Sequence, residues 1–145
     1  VDNYRLVELL SLVSRRMHRY LVPVAEAEGL SFTEIVVLWK MNRRKACRVT
    51  DLAGEVSMPP STLTGVLDRL VAKGLLVRVP DPEDRRAVIL TVGEHVPDLL
   101  ETMKDASRER LSAAFRAVPD EHLERLAGDL QELLDCLEGE DEESV

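Results

Sequence analysis

The sequence predicts a mainly α-helical protein carrying a small β-wing, a winged helix-turn-helix, on three observations. The run Pro60–Lys73 places Leu63, Val66, Leu67 and Leu70 at helical spacing and stops at Gly74, so one face of a helix belongs to a core. A short helical segment, Asp51–Ser57, precedes it across Met58-Pro59, and two helices joined by so short a turn make a helix-turn-helix. Two β-prone runs follow, Leu75–Val79 and Ala87–Val92, separated by the turn-rich tip Pro80-Asp-Pro-Glu-Asp-Arg-Arg86. Strand, charged tip and strand after a helix-turn-helix form a β-wing.

The remaining elements are helical. Tyr4 to about Ala27 carries an apolar stripe of Leu6, Leu9, Leu10, Val13, Met17 and Leu21, with Pro23 near its end and Gly29 breaking the pattern. Ser31 and Thr33 offer caps for a second helix through about Arg43, with Ile35, Val36, Leu38 and Trp39 apolar. The Asn42–Arg48 connection is basic, and Thr50 is the expected cap of the short helix. Pro60 suits a first helical position, where its missing N–H costs nothing. A long helix is expected over Asp98–Ala117, and Pro119 opens a last one with Leu123, Leu126, Leu130, Leu133, Leu134 and Leu137 in step. Glu138–Glu143 reads as a solvated, frayed acidic run.

The 145 residues make one domain's worth of chain. Net charge is −8, yet residues 36–91 hold ten Lys or Arg against six Asp or Glu, and the rest nine against twenty-one. Binding answers to the local field, because salt screens charges beyond roughly 8–10 Å. The basic middle therefore keeps a nucleic-acid partner open, with merely uneven surface charge as the alternative. Two cysteines without CxxC or Cys/His spacing argue against a disulfide scaffold or structural zinc. His18, His95 and His122 are scattered, so no metal or other cofactor is expected. No triad, carboxylate pair or phosphate-cradling glycine loop stands at a usable spacing, so the protein is not expected to be an enzyme. No apolar run spans a bilayer and no leader is visible, so the expected location is cytoplasmic, with no membrane partner.

At this point the chain resembles the MarR (multiple antibiotic resistance regulator) family of winged helix-turn-helix regulators. The resemblance rests on Leu52-Ala53, Ser61-Thr62-Leu63-Thr64, Leu67-Asp68-Arg69-Leu70, Lys73-Gly74-Leu75 and Asp81-Pro82-Glu83-Asp84-Arg85-Arg86 in that order and spacing. It implies a two-fold homodimer built by the N-terminal and last two helices. It also implies that Pro60–Lys73 enters the major groove of double-stranded DNA and the wing tip the adjacent minor groove. The family's Asp-x-Arg wing pattern falls on Asp84 and Arg86. Expected boundaries are 1–30 for the N-terminal dimerisation helix, 31–92 for the DNA-binding lobe, 93–138 for the C-terminal dimerisation helices and 139–145 for an acidic tail. Three departures stand out. Pro59 replaces a small polar cap, Val92-Gly93 replaces Leu-Thr and weakens the start of the next helix, and Gly65 stands where many members carry a larger, often basic, residue.

On this reading the DNA-binding residues are Ser61, Thr62, Thr64, Gly65, Arg69, Lys73, Arg85 and Arg86. Arginines on a thin loop can enter a narrow minor groove; pairing with Asp81, Glu83 or Asp84 is the alternative. Hydroxyls of Ser61, Thr62 and Thr64 can donate to phosphates or base edges, while Ser61 can also cap the helix. Arg69 and Lys73 suit phosphate contact or pairing with carboxylates, and Asp84 suits orienting an arginine. Arg43, Arg44, Lys45 and Arg48 form a backbone-contacting patch or a solvated loop. Those four also surround Cys47, which reads as an incidental thiol, with an oxidisable thiolate stabilised by its basic neighbours as the alternative; Cys136 reads as core or interface. Arg15, Arg16, His18, Arg19 and Trp39 are candidates for binding a small aromatic or phenolic effector, against an exposed polar face and a core tryptophan. The function expected is a dimeric transcriptional regulator, a repressor released by such an effector, acting on a pseudo-palindromic operator. The alternative is a winged-helix protein-interaction module without specific DNA binding.

Overall fold

The computed structural model describes residues 2–56 and 58–143. It divides into two compact units, residues 1–107 and 108–145. Helix α1 (Asn3–Ala27) opens on Asp2, whose carboxylate accepts from the N–H groups of Tyr4 and Arg5, and continues past Pro23. It closes with Gly29 at φ +68°, Leu30 N–H bonding Ala25 O and Gly29 N–H bonding Glu26 O, the paired closure of a Schellman motif. Helix α2 (Phe32–Arg44) starts in a capping box. Ser31 Oγ accepts from Glu34 N, and the Glu34 carboxylate accepts from Ser31 N.

The stretch expected as a plain connection contains a strand, β1 (Ala46–Arg48), reached through a sharp turn at Lys45 with φ +68°. Because β1 pairs as far as Arg48, the chain leaves the sheet straight into helix α3 (Val49–Glu55). Arg48, not Thr50, occupies the cap position, without a side-chain bond. Ser57, the expected end of this helix, lies outside the described residues, as do the last residues of the acidic tail. Helix α4 (Pro60–Ala72) repeats the closure of α1: Gly74 takes φ +72°, and Leu75 N–H bonds Leu70 O.

Strands β2 (Leu76–Pro80) and β3 (Val88–Val92) form the wing, and β3 lies centrally in the order β1-β3-β2, all antiparallel. Cys47, Leu90 and Leu76 are buried in the same core as Leu63, Val66, Leu67 and Leu70 of α4, Val37, Leu38 and Met41 of α2, and Leu52 of α3. Those side chains fix α4 from one side only. Trp39 is 46% exposed, so it is not a core tryptophan.

Helix α5 (Val96–Arg116) begins two residues before its expected start, and α6 (Asp120–Glu143) follows. Pro119 stands just outside α6 and accepts from the N–H groups of His122 and Leu123. The acidic run expected to fray stays helical to Glu143, in keeping with glutamate's good helix propensity. Much of the apolar stripe of α1 (Leu6, Leu9, Val13) and of α6 (Leu126, Leu130, Leu134, Leu137) remains exposed in the single chain. Cys136 is exposed as well. No helix among the described residues is long and apolar enough to cross a membrane.

The departure at Gly93 has a steric cause. Gly93 is buried, donates to Leu75 O at 2.9 Å, and a Cβ there would lie 2.6 Å from Gly74 O and 3.1 Å from Leu75 O. Backbone, not a flexible side chain, occupies that space. Gly93→Ala is expected to destabilise the fold by about 1–3 kcal/mol, the usual cost of overpacking, read as a lower denaturant midpoint.

Candidate nucleic-acid interface

Helix α4 turns its apolar side into the core and leaves Ser61, Thr62, Thr64, Asp68 and Arg69 exposed. Its start is uncapped by side chains: Pro59 holds the cap position and Pro60 the first turn. The Thr64 hydroxyl donates to Pro60 O at 2.9 Å, so its donor is spent within the helix and its oxygen remains an acceptor. Ser61 and Thr62 show no such bond among the described residues. Gly65 contributes a gap on the same face, and the atom nearest to a Cβ built there is Arg69 Nη1 at 3.5 Å.

The basic residues at the far end of α4 are gathered by one carboxylate. Glu34 is buried (3% exposed) and lies 2.6 Å from Lys73 Nζ through Oε2 and 3.7 Å from Arg69 Nε through Oε1. Lys73 Nζ also donates to Gly29 O at 2.8 Å. Of the two roles open to Lys73, the structure shows carboxylate pairing. Burial pushes the Glu34 carboxyl up, but the hydrogen bonds from Lys73 and Ser31 outweigh it and hold the pKa below its ordinary value. Asp68 is likewise taken, by Arg78 of β2 at 2.5 Å.

The wing is fastened at its base. Asp81 is buried and binds Arg48 Nη2 at 2.6 Å through Oδ2 while Oδ1 accepts from Glu83 N. The Glu83 N–H bond, with Arg48 beside it, outweighs desolvation and holds the Asp81 carboxyl low; the same pairing raises Arg48. Asp84 Oδ1 accepts from Arg86 N at 3.0 Å, and Ala87 N–H closes on Asp84 O. Asp84 thus shapes the tip through backbone. The side chains of Arg85 and Arg86 are exposed, and among the described residues no carboxylate pairs with either.

In the basic connection, Arg44 pairs with Glu55, Lys45 Nζ bonds Asn42 Oδ1, and Arg48 serves Asp81. Arg43 is exposed. Cys47 is buried with Sγ 3.4 Å from Met41 Sδ. Desolvation raises its pKa against the pull of Arg44, which disfavours the thiolate that the basic neighbourhood suggested. His18 packs edge-on against Phe32 with ring centroids 4.6 Å apart. Arg15, Arg16, Arg19 and Trp39 are exposed, and among the described residues no hydrogen bond or ion pair joins them. No trio of metal-ligating side chains occurs among the described residues. The sequence reading missed Glu34 and the Arg48–Asp81 pair as organising residues. The Ser31-x-x-Glu34 spacing of a capping box was the available signal for the first; nothing local announces the second.

A helix-turn-helix followed by a two-stranded wing defines a winged helix-turn-helix protein, here with hydroxyls exposed on α4 and, among the described residues, no carboxylate paired with the arginines of the wing tip. Residues 30–88 match the model of the MarR family, which bears out over that stretch the resemblance read from the sequence. It is 31% identical over 102 residues to the transcriptional activatory protein BadR of Rhodopseudomonas palustris, covering 66% of this chain and 58% of BadR. The chain thus spans little more than half of that relative's length. Among solved structures it is similar to a mutant of Escherichia coli MarR complexed with operator DNA (TM-score 0.70, 22% identity, 90% of this chain and 94% of that one). It is also similar to Bordetella bronchiseptica BpsR, whose DNA binding is regulated by 6-hydroxynicotinic acid (TM-score 0.71, 23% identity, 89% and 98%). These two likenesses establish the fold.

The Glu34 cluster makes stability pH-dependent with a definite sign. The native pKa lies below the ordinary 4.5, so the unfolded chain takes up the proton first. The contribution is complete above that value and drains away as pH falls toward the lowered native one. The stability advantage of wild type over Glu34→Gln should therefore shrink as the solution is acidified from neutrality through the carboxylate range, measured by urea unfolding of both proteins.

Proposed function

We propose that this chain is a homodimeric, sequence-specific DNA-binding transcriptional regulator, a repressor released by a small aromatic or phenolic effector. The observation that carries the reading is the pairing pattern of the charged groups. Asp68, Asp81 and Glu34 are each engaged by a base within the lobe, whereas Arg85 and Arg86 at the wing tip have no carboxylate partner among the described residues. Together with the exposed Ser61, Thr62 and Thr64 and the half-buried Gly65 on α4, this is a surface with hydrogen-bonding groups for a groove and cations for phosphate. Arg69 adds an exposed guanidinium on the same helix. Lys73 enters as the residue that secures the end of α4, and a phosphate contact from it would require its bond to Glu34 to open.

The dimer reading is supported by the exposed leucines of α1 and α6, which water disfavours and a second copy would cover. Segments 1–30 and 93–138 would supply that interface, leaving 31–92 as the DNA-binding lobe and 139–145 as an acidic tail. Two copies of α4 related by a two-fold axis read a pseudo-palindrome with half-sites about 10–10.5 bp apart. The regulated DNA binding named for BpsR supports an effector, for which Arg15, Arg16, Arg19, His18 and Trp39 offer donors and aromatic surface. An effector acts by favouring the dimer state in which the two α4 helices no longer fit the half-sites. Repression fits simple occlusion of a promoter; the name of BadR supports activation as the other outcome open to a relative. The site of action is the cytoplasm.

The test is binding to the DNA upstream of its own gene, by anisotropy over a salt series, against scrambled duplex. Wild type should prefer its own sequence and weaken steeply with salt. Replacing both Arg85 and Arg86 with Ala should lower affinity and flatten the log–log salt slope by about 0.9 for each phosphate no longer neutralised. Equal binding to scrambled DNA, with undiminished affinity in the double variant, would favour the protein-interaction reading.

A further inference from the structure

Resting on the DNA-binding reading, we infer that Arg69 is the specificity-determining side chain of α4, placed over Gly65 and oriented by Glu34 so that its guanidinium fork faces the groove. Gly65 lies one turn after Ser61 and one turn before Arg69, on the side of α4 facing away from Leu63, Val66, Leu67 and Leu70. Side chains on a helix lean toward its N-terminus, so Arg69 naturally runs back over position 65. There it finds no side chain, and Nη1 stands 3.5 Å from where a Cβ would be. At the other edge of the guanidinium, Nε faces the buried Glu34 carboxylate at 3.7 Å. That distance is an ion pair rather than a hydrogen bond, enough to orient the group without consuming its donors. Among the described residues no hydrogen bond engages the Nη groups, and the side chain is 56% exposed.

The three neighbouring charges on α4 and the wing sort differently. Lys73 is consumed by Glu34 and Gly29 O, and Asp68 and Arg78 consume each other. Arg69 is the arginine of this helix, and among the described residues its Nη donors have no hydrogen-bond partner. Such a fork matches guanine O6 and N7 in the major groove, whereas an ammonium offers no such bidentate fit. Glu34 is a positioning residue in this arrangement, acting through Arg69 without touching DNA.

The experiment uses the full-length protein and duplexes that it selects from a randomised pool. Each position of the selected site is then changed in turn and affinities are compared. Arg69→Lys keeps the charge and should erase preference for a G·C pair at one position of each half-site, a loss of about 5- to 150-fold in discrimination there, with the salt slope unchanged. Gly65→Leu fills the space beside Nη1 and should displace the guanidinium and lose that preference. Glu34→Gln should blunt discrimination at the same position and at no other, an effect that mere loss of stability would not produce. If Arg69→Lys lowers affinity equally for every duplex, Arg69 is a phosphate contact and the inference is overturned. If wild type selects no sequence at all, the DNA-binding reading falls, and the inference with it.

Discussion

A carboxylate withdrawn from water has to keep its partners, and the Glu34 carboxylate shows how much of the lobe such a requirement can organise. It closes the capping box that starts α2, holds the Lys73 ammonium that also bonds Gly29 O at the end of α1, and faces Arg69. Three helices are thereby registered at one point. Apolar burial supplies most of the stability of the lobe, but burial is non-directional. A charge pair with partners in fixed geometry can set where the end of α4 lies relative to α2, which burial of leucines leaves loosely defined.

The wing repeats the device on a smaller scale. Asp81 and Arg48 join the root of the wing to the junction of β1 and α3, so the loop that carries Arg85 and Arg86 is anchored to the helix-turn-helix itself. The exposed arginines sit on a short tether between β2 and β3, with Asp84 folding the tip through its bond to Arg86 N. Carboxylates in this lobe serve architecture, and the acidic surplus of the chain lies mostly outside residues 36–91. A negative total charge and a cationic face coexist for that reason.

What the sequence revealed were features written within one or two helical turns. The leucine periodicity of α4, the glycine closures at Gly29 and Gly74, and the β-prone runs around a proline-rich tip all correspond to observed elements. What it concealed depends on contacts distant along the chain. Strand β1 has three residues and exists because β3 pairs with it, so its own composition carries little signal. Moving the start of α3 from Asp51 to Val49, and its cap from Thr50 to Arg48, follows from that pairing. Gly93 looked like a weakness in the next helix until the carbonyls of Gly74 and Leu75 appeared beside it. The partners of the candidate bases were equally hidden: Glu34 and Lys73 are 39 residues apart, Arg48 and Asp81 33. Residue types and spacing marked which side chains were candidates for contact with DNA. They could not mark which of them were already occupied.

Strand β1 carries one more consequence, in the dimension of time. It lies at the edge of the sheet, only three residues long, and it keeps the Cys47 thiol against Met41 and away from water. Short edge elements open more readily than the core beneath them. A thiol reagent therefore meets the buried Cys47 only during such openings. The chain carries its own clock, and the rate of that reaction reports how often the seam between β1 and β3 comes apart in the native protein.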